Sequence, residues 1–178
     1  MYQYIPPKRN QKAQKIIGIL FLGGILLLFL PSLLQIPFRS FFQVCGVGCL
    51  TGSVFLVTRY VTKSFLYRVE ANDDGSLDFT VTEIQNNKRQ ITVCRIALSD
   101  IRDIVTVKQA DRAAVNAVKE RIRKEQRRSF YYCPELAPSE ACYLFVSEPS
   151  SGLLVVVINP DETLLRILEE HKGEDGED

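Results

Sequence analysis

IIGILFLGGILLLFLPSLLQI, residues 16–36, and FFQVCGVGCLTGSVFLVTRYV, residues 41–61, decide how this chain is organised. Each block, wound as a helix rising about 1.5 Å per residue, reaches roughly 30 Å, the thickness of a hydrocarbon core. Neither contains Asp, Glu or Lys, and the single Arg, Arg59, lies near an end where its guanidinium reaches headgroups. With a four-residue link between them, the blocks read as a two-span membrane hairpin over residues 16–61. The remaining two thirds of the chain is polar and mixed, which places a water-exposed domain at a membrane surface.

The formal net charge of +1 conceals an uneven distribution of bases. Lys8, Arg9, Lys12 and Lys15 precede the first block, Arg39 alone sits in the link, and Arg59, Lys63 and Arg68 end or follow the second. The positive-inside rule then predicts a multi-pass protein of the cell membrane with both termini cytoplasmic and only Pro37–Ser40 outside. A secretory signal peptide also begins with bases before an apolar run. Here the run is too long, no small-x-small cleavage site precedes the second block, and that block would stop transfer in any case.

Five cysteines, Cys45, Cys49, Cys94, Cys133 and Cys142, contain no CxxC, and the only histidine, His171, lies in the acidic end region. A cytoplasmic domain keeps such thiols reduced, so they are expected as small core residues. Within the hairpin, Gly48 and Gly52 form a small-xxx-small ridge, and Gly23 and Gly24 face the same task in the first span. Close backbone approach through small residues is the usual way helices pair in lipid. These glycines serve either the packing of the two spans on each other or a homodimer through Gly48 and Gly52. Pro31 removes a backbone donor near the end of the first span. No intramembrane acid or chain of polar residues marks an ion path.

From Leu66 the periodicity becomes two. Residues 66–71, 77–84, 91–98 and 101–107 alternate as strands, separated by Asn72-Asp73-Asp74-Gly75-Ser76 and Gln85-Asn86-Asn87-Lys88-Arg89 as turns. Ala110, Ala113, Ala114, Ala117, Val118 and Ile122 then fall at helical spacing, predicting an inserted helix near 109–128. Strand-like runs resume at 130–133, 142–148 and 153–158. A last helix follows Asn159, expected as N-cap with Pro160 at the first helical position, and Leu164, Leu165 and Leu168 are its expected core residues. Residues 173–178 form an acidic tail expected to be disordered. The predicted order is thus a basic N-terminus (1–15), the hairpin (16–61), a β-domain of about seven antiparallel strands (62–172) and the tail.

About seven strands closed by one capped helix resembles the order of a pleckstrin-homology-like (PH-like) domain. Ile91–Leu98 running into Ser99-Asp100-Ile101 and Ile104 is similar to the strand-and-turn pattern of bacterial PH-like domains. Ile158-Asn159-Pro160-Asp161-Glu162 leading into Leu164-Leu165-Arg166-Ile167-Leu168 resembles their closing strand-to-helix junction. The resemblance covers roughly residues 66–172 and implies a binding fold, often carried by an N-terminal pair of spans. Two departures stand out. The first β-β loop, Asn72–Ser76, is acidic where lipid-binding members are basic, so phosphoinositide binding there is not carried over. The inserted helix is also longer than a usual connection.

Glycine-rich nucleotide loops, a P-loop, GxSxG and HExxH are all missing from the sequence, and His171 beside Glu169 and Glu170 reads as a surface charge partner. No enzyme activity, cofactor or metal is expected. The one segment whose charge asks for a partner is Lys119–Arg128, six bases against two acids. Arg121, Arg123, Lys124, Arg127 and Arg128 are the candidate contacts for anionic lipid or an acidic protein; a plain solvated helix face stands beside that reading. The segment has no interleaved aromatics, so nucleic acid is not an expected partner. The function expected is a membrane-anchored binding or scaffolding module, with a regulatory or assembly subunit of a larger integral membrane complex as the alternative.

Overall fold

A computed structural model of the protein describes all residues except 8–10, 35–36, 74, 86–87, 137, 149–151 and 174–178. Lys8 and Arg9 of the basic N-terminus and the acidic tail from residue 174 therefore lie outside the described residues. The chain divides into two compact units, residues 9–63 and residues 1–8 with 64–178.

The first unit is a pair of helices. The long apolar runs form α1 (Gln11–Leu33) and α2 (Arg39–Leu56), the latter extended by a π-helical turn over Val57–Val61. Each is 23 residues with its extension, about 34 Å of helix, long and apolar enough to cross a membrane. Their outward side chains are bare: Ile19 and Val44 are both 71% exposed. Such surface costs roughly 25 cal/mol per Å² in water, a penalty that a lipid environment removes. Phe38, at φ 64°, turns the chain into α2.

Among the described residues the second unit carries eight strands in two four-stranded sheets. The first sheet has the order β1-β2-β3-β4, with β1 Tyr2–Tyr4, β2 Lys63–Ala71, β3 Leu77–Gln85 and β4 Arg89–Ala97. The second has the order β5-β7-β8-β6, with β5 Ile101–Lys108, β6 Arg128–Tyr131, β7 Glu140–Glu148 and β8 Gly152–Ile158. The expected count of about seven antiparallel strands is corrected in two respects. Tyr2-Gln3-Tyr4 adds a strand, paired antiparallel to β2 with Tyr2 opposite Val69 and Tyr4 opposite Tyr67. And β6 runs parallel to β8, with Ser129 opposite Val155 and Phe130 opposite Val156. Two-residue periodicity specifies a strand but not its partner, and β6 reaches the far side of β8 because the β7-β8 hairpin lies between β5 and it.

Alternation divides the side chains between two hydrophobic clusters. The inner one packs Phe65, Tyr67, Phe79, Leu144 and Val156 between the sheets, and is closed by Leu164 and Leu168 of α4 (Glu162–His171). Leu165 is only half-buried, so the expected trio of core leucines reduces to two. The N-cap is Asp161 rather than Asn159: its Oδ1 accepts the amide of Leu164 at 3.0 Å. The outer cluster packs α3 (Arg112–Lys124) through Val118 and Ile122 onto Tyr143, Phe145, Val155 and Val157 of the second sheet. Burying each such side chain contributes roughly 1.5–3 kcal/mol, so α3 covers a sheet face that would otherwise lie open.

Candidate functional site

The inserted helix is shorter than its sequence pattern predicts, and its end builds the site. Asp111 caps the start, accepting the Ala114 amide at 3.0 Å. At the other end Gln126 adopts φ 50°, the amide of Arg127 donates to Ile122 O at 3.0 Å, and that of Gln126 to Arg123 O at 3.2 Å. This is a Schellman closure with glutamine where glycine is usual. It stops the helix at Lys124 and turns the basic run back onto the sheet, so Arg127 and Arg128 leave the helix and Arg128 opens β6.

That turn divides the five candidate bases. Arg121 and Arg127 point inward. The Arg121 guanidinium ion-pairs with Asp103, donates to Glu125 Oε1 at 3.1 Å and lies 4.1 Å from the centre of the Phe145 ring. Arg127, with a side chain only 9% exposed, pairs with Glu125, donates to Val146 O at 3.2 Å and lies 5.2 Å from the same ring centre. Stacked over an aromatic face and hydrogen-bonded at their edges, these two guanidinium groups tie α3 to the sheet. Burial pushes the Glu125 carboxyl up, but the hydrogen bonds from Arg127 and Arg121 outweigh it and hold the carboxyl below its usual range. Asp103 in turn raises the pKa of Arg121.

Arg123, Lys124 and Arg128 are exposed. Lys124 pairs with Glu120 at 3.1 Å, both side chains largely in solvent, a contact of small worth. Arg123 and Arg128 make no ion pair among the described residues. Asp103 and Glu125 are thus occupied by Arg121 and Arg127 and Glu120 by Lys124, and the outward charge that is left, on Arg123 and Arg128, is positive. Sequence reasoning missed what adjoins it: Phe130 and Tyr131 of β6 are 44% and 51% exposed. The run Ser129-Phe130-Tyr131-Tyr132 directly after the last base was the available signal.

The glycines separate in the same manner. In the helical pair, a Cβ on Gly24 would come within 3.0 Å of Gly46 O and 2.9 Å of Leu50 Cγ, and one on Gly46 within 2.9 Å of Gly24 O. Gly24 and Gly46 therefore form the close crossing of α1 and α2. A Cβ on Gly23, Gly48 or Gly52 would meet nothing within 4 Å.

The cysteines and histidine occupy plain positions. Cys142 is fully buried, and burial pushes its thiol up to about 12; Cys133 is buried with Sγ against Val157 O. The His171 ring lies 3.0 Å from Ile167 O at the end of α4. Comparison with protein-family models, with curated proteins and with solved structures gives no match. The molecule is, as a class, an apolar helical hairpin joined to a two-sheet β-domain with a basic, aromatic-edged surface, and its function has to be read from that chemistry.

Proposed function

We propose that the protein is a non-catalytic, membrane-anchored module whose cytoplasmic PH-like β-domain touches anionic headgroups through Arg123, Lys124 and Arg128. The two apolar helices support the anchoring, and the observation that carries the topology is the pairing of β1 with β2. One strand precedes the apolar helices and the other follows them, and a hydrogen-bonded ladder does not form across a bilayer. The pairing supports placing residues 2–4 and 67–69 on one side, and the Lys/Arg imbalance supports the cytoplasmic side. Two sheets closed by α4, with Leu164 and Leu168 in the core, support the PH-like reading. β1 and α3 are additions to that pattern.

Each base near an anionic surface is worth about 1 kcal/mol, so three outward bases on a tethered domain suffice for contact. The test uses the full chain in nanodiscs. Amide exchange over residues 119–131 should slow in phosphatidylserine-containing discs relative to phosphatidylcholine discs, and the difference should vanish when the three bases become Gln. Equal exchange in both lipids would sink the headgroup contact.

A second reading, an assembly subunit of a larger integral membrane complex, draws on the face of α2 that α1 leaves open at Gly48 and Gly52. Stoichiometric co-purification of other integral membrane proteins in detergent would favour it.

A further inference from the structure

Three rings lead from the inner core of the β-domain to the edge of its second sheet. Phe65, near the start of β2, meets Tyr132 edge-on with ring centres 5.8 Å apart, and Tyr132 stacks on Phe130 at 6.4 Å with planes only 6° from parallel. Tyr132 is held at both ends, its hydroxyl donating to Val93 O at 3.2 Å and its amide to Val157 O at 2.9 Å. The middle rung is therefore fixed, and Phe130 is presented at the outer edge of β6, the last strand of its sheet. Tyr131, the next residue of the edge strand, is exposed on the opposite face, so the two rings flank the edge of β6.

Phe65 follows Val61, the last residue of the second apolar helix, by four positions in the chain. The aromatic ladder thus leads from the core to the exposed Phe130, and the edge strand that carries Phe130 and Tyr131 opens with Arg128, shortly after Arg123 and Lys124 in the chain. Aromatic rings with a polar tip beside Arg and Lys are the composition that settles at a bilayer interface, the rings at headgroup depth and the charges on anionic lipid. A protein strand added to β6 would also cover this edge. Charge favours lipid: Asp103 and Glu125 are taken up by Arg121 and Arg127 and Glu120 by Lys124, while Arg123 and Arg128 add outward positive charge.

We propose that Phe130 and Tyr131 insert into the interface of an anionic bilayer, with Arg123, Lys124 and Arg128 holding them there. The inference rests on the membrane-anchored reading above and adds depth to it: the edge penetrates the interface rather than hovering over it.

The chain has no tryptophan, so Phe130→Trp in the full-length protein is a single fluorescent reporter, with Phe41→Trp in the second apolar helix as the reference for a buried position. In vesicles of phosphatidylcholine and phosphatidylserine with brominated acyl chains, the emission of the Phe130→Trp variant should shift to the blue and be quenched severalfold more than in phosphatidylcholine alone. Salt near 1 M, where screening acts within about 3 Å, should return it toward the neutral-lipid value. Adding the triple Gln substitution at the three bases should do the same. Tyr131→Trp repeats the measurement should the first substitution disturb the fold, which circular dichroism reports. Unquenched emission in both membranes overturns the insertion and leaves β6 to water or to a protein strand. Equal quenching in both overturns the role of the bases. Exchange protection of residues 119–131 without quenching would sink insertion alone and leave headgroup contact standing.

Discussion

The Tyr2 hydroxyl donates a 2.5 Å hydrogen bond to Oδ2 of Asp161, and the other oxygen of that carboxylate accepts the amide of Leu164. One side chain therefore caps α4 and fastens the first strand of the chain. The bond needs the phenolic proton: hydrogen bonding to Asp161, then desolvation, raises the Tyr2 pKa. Its stabilisation is complete below the ordinary phenol value of 10.0 and is lost as pH rises through the higher folded value. Because Gln3 stands opposite Arg68, Gln3→Cys with Arg68→Cys should form a disulfide within one chain, visible as a monomer on a non-reducing gel. Adding Tyr2→Phe removes the hydrogen bond to Asp161 and should slow that cross-link. A cross-linked dimer would mean that β1 docks on a second copy instead.

Leu168 is fully buried and Leu165 is not, so the two should differ sharply on truncation. Leu168→Ala leaves a cavity between the sheets and should cost about 2–5 kcal/mol. Leu165→Ala should cost clearly less. Chemical denaturation of the two variants checks the ranking, and equal losses would show that α4 presents a different face to the core.

The apolar helices and most strands were legible because burial imposes long apolar runs on the former and alternation on the latter. What escaped the sequence depends on pairing and closure. Tyr2-Gln3-Tyr4 is too short for periodicity to register, and only its partner β2 makes it a strand. Helical spacing and the lack of Gly or Pro carry the expected helix on to Arg128, whereas Gln126 in a left-handed conformation closes α3 here. The division of the basic run into inward and outward halves follows from that unseen turn. The same residue offers a test. Gln126→Gly relieves a left-handed conformation that costs a side-chain-bearing residue about 1 kcal/mol or more, and should raise the melting temperature without altering headgroup contact.

Gly24 and Gly46, rather than Gly48 and Gly52, meet at the crossing of α1 and α2. Gly46→Val forces side-chain atoms against the Gly24 carbonyl and the Leu28 backbone and should destabilise the helical pair by about 1–3 kcal/mol. Gly48→Val projects into open space and should change the stability of the pair by no more than about 0.5 kcal/mol. Titration with sodium dodecyl sulfate, followed by helix-to-helix energy transfer, separates the two. A Gly48 variant that alters oligomer size without unfolding the pair would locate a homodimer face.

Glu125 receives both inward arginines, and its lowered pKa makes the attachment of α3 acid-sensitive. The sign follows from the direction of the shift: the contribution is fully present above the ordinary carboxylate pKa and is lost as pH falls through the lower folded value. Across that acid window the end of α3 should loosen before the inner core, whose closing residues are apolar. Glu125→Gln keeps the shape and removes the charge, leaving Arg121 with Asp103 and Arg127 with the Val146 carbonyl. The variant should show faster amide exchange over residues 121–128 at neutral pH and a flatter acid dependence there. Unchanged exchange would mean that stacking on Phe145, not the carboxylate, holds the two guanidinium groups in place.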